Sequence, residues 1–223
     1  VEPFDLESLA DQKPPSRRVY LEPYRTCDMQ ADEALLQQVC DAAEQGANIA
    51  LVVNLVADAQ NLASQLAKVT DKPVRLFHAR YTLKDRQVIE ADVLKRFNDE
   101  ATERGQILVA TQVVEQSLDV DFDWMITQLC PADLLFQRLG RLHRHPHKNA
   151  DRPQAYQEPC CTVLLPEGED YGAHGKIYAD LRVLWRTQQN INELSGKPLE
   201  FPAAYRQLIE SVYAEAPWGS EPE

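Results

Sequence analysis

Asn48-Ile49-Ala50-Leu51-Val52-Val53-Asn54 is an apolar run closed at each end by an asparagine. A strand with one wet face alternates apolar and polar residues. A run without alternation marks a strand covered on both faces, as in a parallel sheet. The neighbouring segments agree. Upstream, Leu35, Leu36, Val39, Cys40 and Ala43 keep helical spacing across 31–45, and downstream a helix is expected over 57–69. Strand character returns at 73–78, 105–110, 124–129 and around 161–165, with a helix over 83–97 that sets Ile89, Val93 and Phe97 on one stripe. This alternation predicts an α/β fold, a mostly parallel central sheet flanked by helices. Residues 17–23 read as a short strand that Pro23 closes. A helix is expected over 177–190 and a shorter element over 199–215.

The 223 residues suffice for one large domain, and 44% of them are hydrophobic, enough for a real core. A net charge of −12 argues against a protein that coats nucleic acid indiscriminately, but leaves room for a local basic groove. Five cysteines without Cys-x-x-Cys spacing read as reduced thiols of a cytosolic protein. No apolar run reaches membrane-spanning length, so no membrane partner is expected. A start at Val1 rather than Met suggests a piece of a longer chain. The expected organisation is an acidic, extended lead-in over 1–16, a main lobe over 17–166 and a C-terminal helical appendage over 167–223.

The segment Gln137-Arg138-Leu139-Gly140-Arg141-Leu142-His143-Arg144 follows Pro131 and the apolar Leu134-Leu135-Phe136. Wound as one helix, it sets Gln137, Arg141 and Arg144 on one face and Leu135, Leu139 and Leu142 on the other, with Arg138 pointing away from the polar stripe. Two fixed guanidiniums suit phosphate oxygens, although a solvated basic face explains the same pattern. The spacing Gln-x-x-Gly-Arg-x-x-Arg, filled by Gln137, Gly140, Arg141 and Arg144, resembles the last motif of helicase superfamily 2. Residues 109–121, from Val109 through Thr111, Gln112, Glu115 and Asp119 to Asp121, resemble the motif before it. The variants Glu115-Gln116-Ser117-Leu118-Asp119 and Gly140-Arg141-Leu142-His143-Arg144-His145 are similar to one family, the CRISPR-associated helicase-nucleases of type I systems.

The resemblance runs from about Val19 to Tyr213 and implies the second RecA-like lobe of such an enzyme, a three-layer fold. It implies ATP and Mg2+ as cofactors, with the magnesium held mainly by the other lobe. It implies single-stranded DNA as track, pulled 3′ to 5′. The implied partners are the first RecA-like lobe and the nuclease domain of the same protein and an RNA-guided surveillance complex, in a prokaryotic cytoplasm. Gln137, Arg141 and Arg144 would face the triphosphate, and Asp119 and Gly140 would belong to the nucleotide site. Most superfamily members carry Arg-Gly where Gln116-Ser117 stand here, and Ser117 keeps that position small. Ligands of open parallel sheets gather beyond the strands' carboxyl ends. Asn54, His78, Thr111 and Gln128 are expected on that rim. With Gln112, the first three are candidates for the DNA track. Each also has a plain reading as a turn or capping residue.

Other features exclude chemistry. Asp119, Asp121 and Asp123 alternate like a calcium loop, but Trp124 and Cys130 stand where Gly and Glu are needed. His143, His145 and His147 alternate too, yet Pro146 extends the segment, and no metal site is assigned. Lys148, Arg152, Arg17 and Arg18 read as a basic rim for DNA or as solvated charge. No Gly-x-x-x-x-Gly-Lys-Ser/Thr, no Asp-Glu after an apolar strand and no His-Asp nuclease cluster occurs in the chain, so the piece alone is expected to be inert as an ATPase. Two other readings stay open: a lobe of another superfamily 2 DNA or RNA helicase, and a nucleic-acid-binding module of the same fold without turnover.

Overall fold

The apolar runs assemble into one sheet. The structure, a computed structural model, describes residues 16–115, 118–178 and 180–219. The expected lead-in therefore lies outside the described residues except for Ser16, as do Gln116 and Ser117. In chain order the main elements are β1 (Arg17–Thr26), α1 (Glu33–Glu44), β2 (Ile49–Val52), α2 (Val56–Val69), β3 (Val74–Phe77), α3 (Leu83–Phe97) and β4 (Ile107–Ala110). There follow β5 (Trp124–Gln128), α4 (Ala132–Leu139), β6 (Cys160–Pro166), the one-turn α5 (Gly172–Gly175), α6 (Leu181–Leu194), β7 (Pro198–Phe201) and α7 (Tyr205–Tyr213). The sheet order is β3-β4-β2-β5-β6-β1-β7, with every pair parallel except β1–β7.

Strands β2, β4 and β5 are buried along their whole length, as a parallel sheet between helical layers requires. The helices start where side chains replace the missing turn. The Asp32 carboxylate accepts from the Leu35 amide at 2.8 Å, and the Thr82 hydroxyl from the Asp85 amide at 3.2 Å. Between α3 and β4 the chain turns at Gly105, where φ is +75° and an added Cβ would lie 2.4 Å from the Ala43 carbonyl oxygen. Only glycine fits there.

Two expectations change. Pro23 does not close β1, which runs on to Thr26. The Tyr20 amide donates towards the β6 side, to Pro159 O, so by strand alternation the nitrogen of Pro23 faces the β7 side. Pairing with β7 has already ended at Tyr20, so the missing N–H costs no ladder bond. The C-terminal region also contributes more than helices, because β7 adds an antiparallel edge to β1.

The amino ends of the central strands are tied by charge. Arg152, fully buried, donates through Nη2 to Asp121 Oδ2 at 2.7 Å and through Nη1 to Asp123 Oδ1. Arg104 pairs with the other Asp123 oxygen, which also accepts from the Asn48 amide at 2.7 Å. Asn48 Oδ1 in turn accepts from the Gln106 amide at 3.1 Å. Residues just ahead of β2, β4 and β5 thus share one network. Arg152 is neither basic rim nor solvated charge. Lys148 is buried as well, its ammonium donating to the carbonyls of Asn98 and Ala101 beyond the end of α3. Removing one partner of a buried pair leaves an uncompensated charge, which costs about 3–5 kcal/mol. Arg152→Met should lower unfolding free energy by roughly that amount, whereas Arg18→Ala, at an exposed position, should stay within about 0.5 kcal/mol. Urea denaturation checks both, and a loss below about 1 kcal/mol for Arg152→Met would show that Arg104 alone neutralises Asp123.

Candidate functional site

Helix α4 begins just beyond the carboxyl end of β5 and runs back for eight residues, about 12 Å. Pro131 sits one place ahead of the first helical residue, as the N-cap. The helix stops at Leu139, whose carbonyl accepts from Arg17 Nη2 at 2.7 Å, a cation at the negative end of the helix dipole. Gly140 caps it, and an added Cβ there would lie 3.2 Å from the Gln137 carbonyl.

The expected single helix through Arg144 is therefore not formed. After Gly140 the chain lies beside the residues that lead into β5. The Phe122 amide donates to Arg141 O at 3.0 Å, and the His143 amide to Phe122 O at 2.9 Å. The Arg144 amide donates to Asp121 Oδ1 at 2.8 Å, so the loop hangs from a carboxylate that Arg152 holds in place. These pairings outweigh continuation of the helix and give His143 a φ of +46°.

Gln137 is exposed, Arg141 half-buried and Arg144 exposed, with Arg144 Nε on Asp119 Oδ1 at 2.6 Å. The pair brings the two expected nucleotide motifs into contact. Burial alone would raise the Asp119 carboxyl, but Arg144 and His145 outweigh it and hold it below the usual range. Arg141 is lowered first by burial and then by the nearby charge of Arg144. Two crowded cations share one carboxylate there, a donor set that fits a polyanion such as a triphosphate.

Arg138 does point away from the stripe, and it points into the core, with no exposed surface. Its Nε meets Glu115 Oε1 at 2.7 Å, Nη1 donates to Thr127 Oγ1 at 2.5 Å and to Gln128 O at 3.2 Å, and Nη2 to Asn54 Oδ1 at 3.3 Å. It follows Leu134 and Leu135 by one helical turn. Glu115 and Tyr178 had no assigned role, and only their partners in space reveal one.

The candidates for the DNA track lie at the carboxyl rim, at the opposite edge of the sheet from Arg144. Asn54 is buried and its amide is used internally, with Nδ2 on Leu129 O at 2.8 Å and Oδ1 accepting from Tyr178 and Arg138. All of these contacts are internal to the lobe. Gln112 is half-buried and donates to Asn54 O at 3.0 Å. Thr111 is only 2% exposed. Buried His78 accepts the Arg80 amide at Nδ1 and stacks on Tyr81 with centroids 4.1 Å apart. Burial lowers its pKa. The Gln128 amide is also inside, on Met29 O and Asp58.

His143 turns inward, its Nε2 3.0 Å from Asp123 O, while His145 and His147 face Asp99. The three imidazoles do not converge. Among the described residues no group of three His, Cys, Asp or Glu is arranged to hold a metal.

A mostly parallel sheet carrying these two motifs in contact defines a RecA-like helicase lobe of superfamily 2. Residues 45–147 match the family model described as CRISPR-associated nuclease/helicase Cas3, C-terminal. The chain belongs to the Cas3 family and is a helicase lobe of it. It is 51% identical over 216 residues to the CRISPR-associated endonuclease/helicase Cas3 of Escherichia coli (strain K12), covering 96% of this chain and 24% of that protein. The crystal structure of T. fusca Cas3-ADP is similar with a TM-score of 0.81 and 30% identity, over 93% of this chain and 25% of that one. A chain of the structure described as "CRISPR RNA-guided surveillance complex, pre-nicking" is similar with a TM-score of 0.75 and 30% identity, over 90% and 25%. The chain thus spans about a quarter of the length of these relatives.

Two outcomes follow from the geometry. Arg138→Ala should cost about 3–5 kcal/mol of stability by stranding Glu115, and Gln137→Ala less than about 0.5 kcal/mol. Chemical denaturation of both variants measures this, and equal midpoints would refute the burial argument. The second concerns His143, which burial and the neighbouring Arg152 lower from 6.5 to about 3. The folded chain keeps it neutral while the unfolded chain protonates it, so its contribution is complete above pH 6.5 and is lost as pH falls towards 3. Stability should drop by about 1–1.4 kcal/mol per pH unit between pH 6 and 4 from this group. His143→Asn, which tolerates a positive φ, should show a slope shallower by that amount in urea titrations, and parallel slopes would remove the effect.

Proposed function

We propose that the chain is the second motor lobe of an ATP-dependent single-stranded DNA translocase that moves 3′ to 5′ and feeds a nuclease domain in type I CRISPR interference. The observation that carries this reading is the crowding of Arg141 and Arg144 beside Asp119, on a loop clipped to a buried ion network. The relatives described with ADP and with a surveillance complex support the nucleotide and the partner.

ATP, with Mg2+ and the phosphate cradle supplied by a first lobe, would provide the hydrolysis that drives closing and opening of the cleft. Arg141 and Arg144 would hold phosphate oxygens with planar forks, Gln137 would offer an amide from the exposed end of α4, and Asp119 would accept from the ribose. For Arg144 to turn to the phosphates, its pair with Asp119 must loosen. That pair is exposed and worth little, so the exchange is cheap. A guanidinium aimed at the transferred phosphoryl group stabilises the transition state more than bound ATP, because charge builds there during transfer. The carboxyl-rim loop, with Thr111 at its start, would carry the DNA side of the track.

Arginine fingers contribute about 10³–10⁵ in rate, roughly 4–7 kcal/mol. Arg141→Ala and Arg144→Ala in the full-length protein should each cut DNA-stimulated ATP hydrolysis by orders of magnitude and leave DNA binding little changed, with lysine rescuing poorly. The isolated 223-residue chain should not turn over ATP. Wild-type turnover in both alanine variants, or loss of DNA binding in parallel with turnover, would overturn the assignment.

A further inference from the structure

Glu115 holds two parts of the arginine segment at once. Its carboxylate, 7% exposed, grips Arg138, while its own backbone carbonyl accepts from Arg141 Nη2 at 3.4 Å. The residue ends a short helical turn whose Val113 and Val114 are buried. The peptide that receives Arg141 is therefore fixed from below by packing and from the side by an ion pair.

The other end of that ion pair reaches the carboxyl rim. Arg138 donates to Thr127 and Gln128 at the end of β5 and to Asn54 beyond β2. Asn54 is in turn held by Gln112 and, from the C-terminal region, by the Tyr178 hydroxyl at 2.9 Å. One unbroken run of polar contacts joins the rim to Arg141, and Glu115 is the link through which it passes. An ion pair needed only for stability is replaceable by apolar residues of similar volume. This one sits on the same residue as the acceptor of Arg141, where an apolar replacement keeps the packing and frees the carbonyl to shift.

Resting on the reading of Arg141 as phosphate-facing, we infer that Glu115 is a positioning residue for ATP hydrolysis. Its ion pair with Arg138 fixes the carbonyl that aims Arg141 and transmits the state of the carboxyl rim to it. Glu115 does not touch the nucleotide, so its removal acts on turnover through Arg141 and spares ATP affinity.

A double-mutant cycle in the full-length protein tests this. Glu115→Gln should lower the DNA-stimulated kcat at least tenfold with the KM for ATP changed less than threefold. In an Arg141→Ala background the same substitution should change kcat less than twofold, because the residue it acts through is gone. The paired variant Glu115→Gln with Arg138→Gln removes the stranded buried charge. It should keep the wild-type unfolding midpoint within a few degrees and show the same loss of kcat, which serves if the single variant does not fold. Equal fold-losses in the two backgrounds, or a paired variant with wild-type kcat, overturn the inference while leaving the role of Arg141 intact. Wild-type kcat in Arg141→Ala alone overturns the underlying reading, and the inference with it.

Discussion

The arrangement rests on a buried charge clamp at the amino edge of the sheet. Asp121 and Asp123 cannot sit there ionised without Arg152 and Arg104. The clamp decides where the last motif of the lobe can go. Because Asp121 offers its second oxygen to the Arg144 amide, the helix ends early and the loop lies down beside Phe122. A chain with net charge −12 thereby concentrates Arg17, Arg141, Arg144 and Arg152 at one edge, without making the whole surface cationic.

Both functional motifs run between the two edges of the sheet. The residues from Thr111 to Asp121 leave the carboxyl end of β4 and reach the amino end of β5, and α4 spans the same distance beside them. On the proposed reading, the groups assigned to the nucleotide and those assigned to the track occupy opposite edges of the sheet. The polar contacts around Arg138 lie where the two motifs pack.

Much of this was legible in the sequence, for identifiable reasons. The apolar runs of β2, β4 and β5 marked strands covered on both faces. The last motif was legible because the spacing of Gln137, Gly140, Arg141 and Arg144 survives any local conformation. Its geometry was not. A helical wheel assumes that the helix continues, and the carboxylate that stops it lies over twenty residues upstream. Burial of Arg138 and Arg152 was hidden for a related reason: a buried cation looks like a surface one until its anion is found in space. The rim residues were placed at the correct strand ends, yet position along a strand does not say which side chains, such as that of Asn54, bond inside the lobe. The edge strand β7 is as long as β2, but exposed Pro198 and Glu200 flank buried Leu199, so no continuous apolar run marks it.

Pro23 adds a consequence of another kind. Past Tyr20 the outer side of β1 is no longer paired with β7, and bare strand edges invite copies of a protein to stack into aggregates. A ring nitrogen in the middle of that stretch offers an intruding strand a gap where it needs a donor. A residue that is silent in the ladder of its own sheet thus works against self-association at that edge.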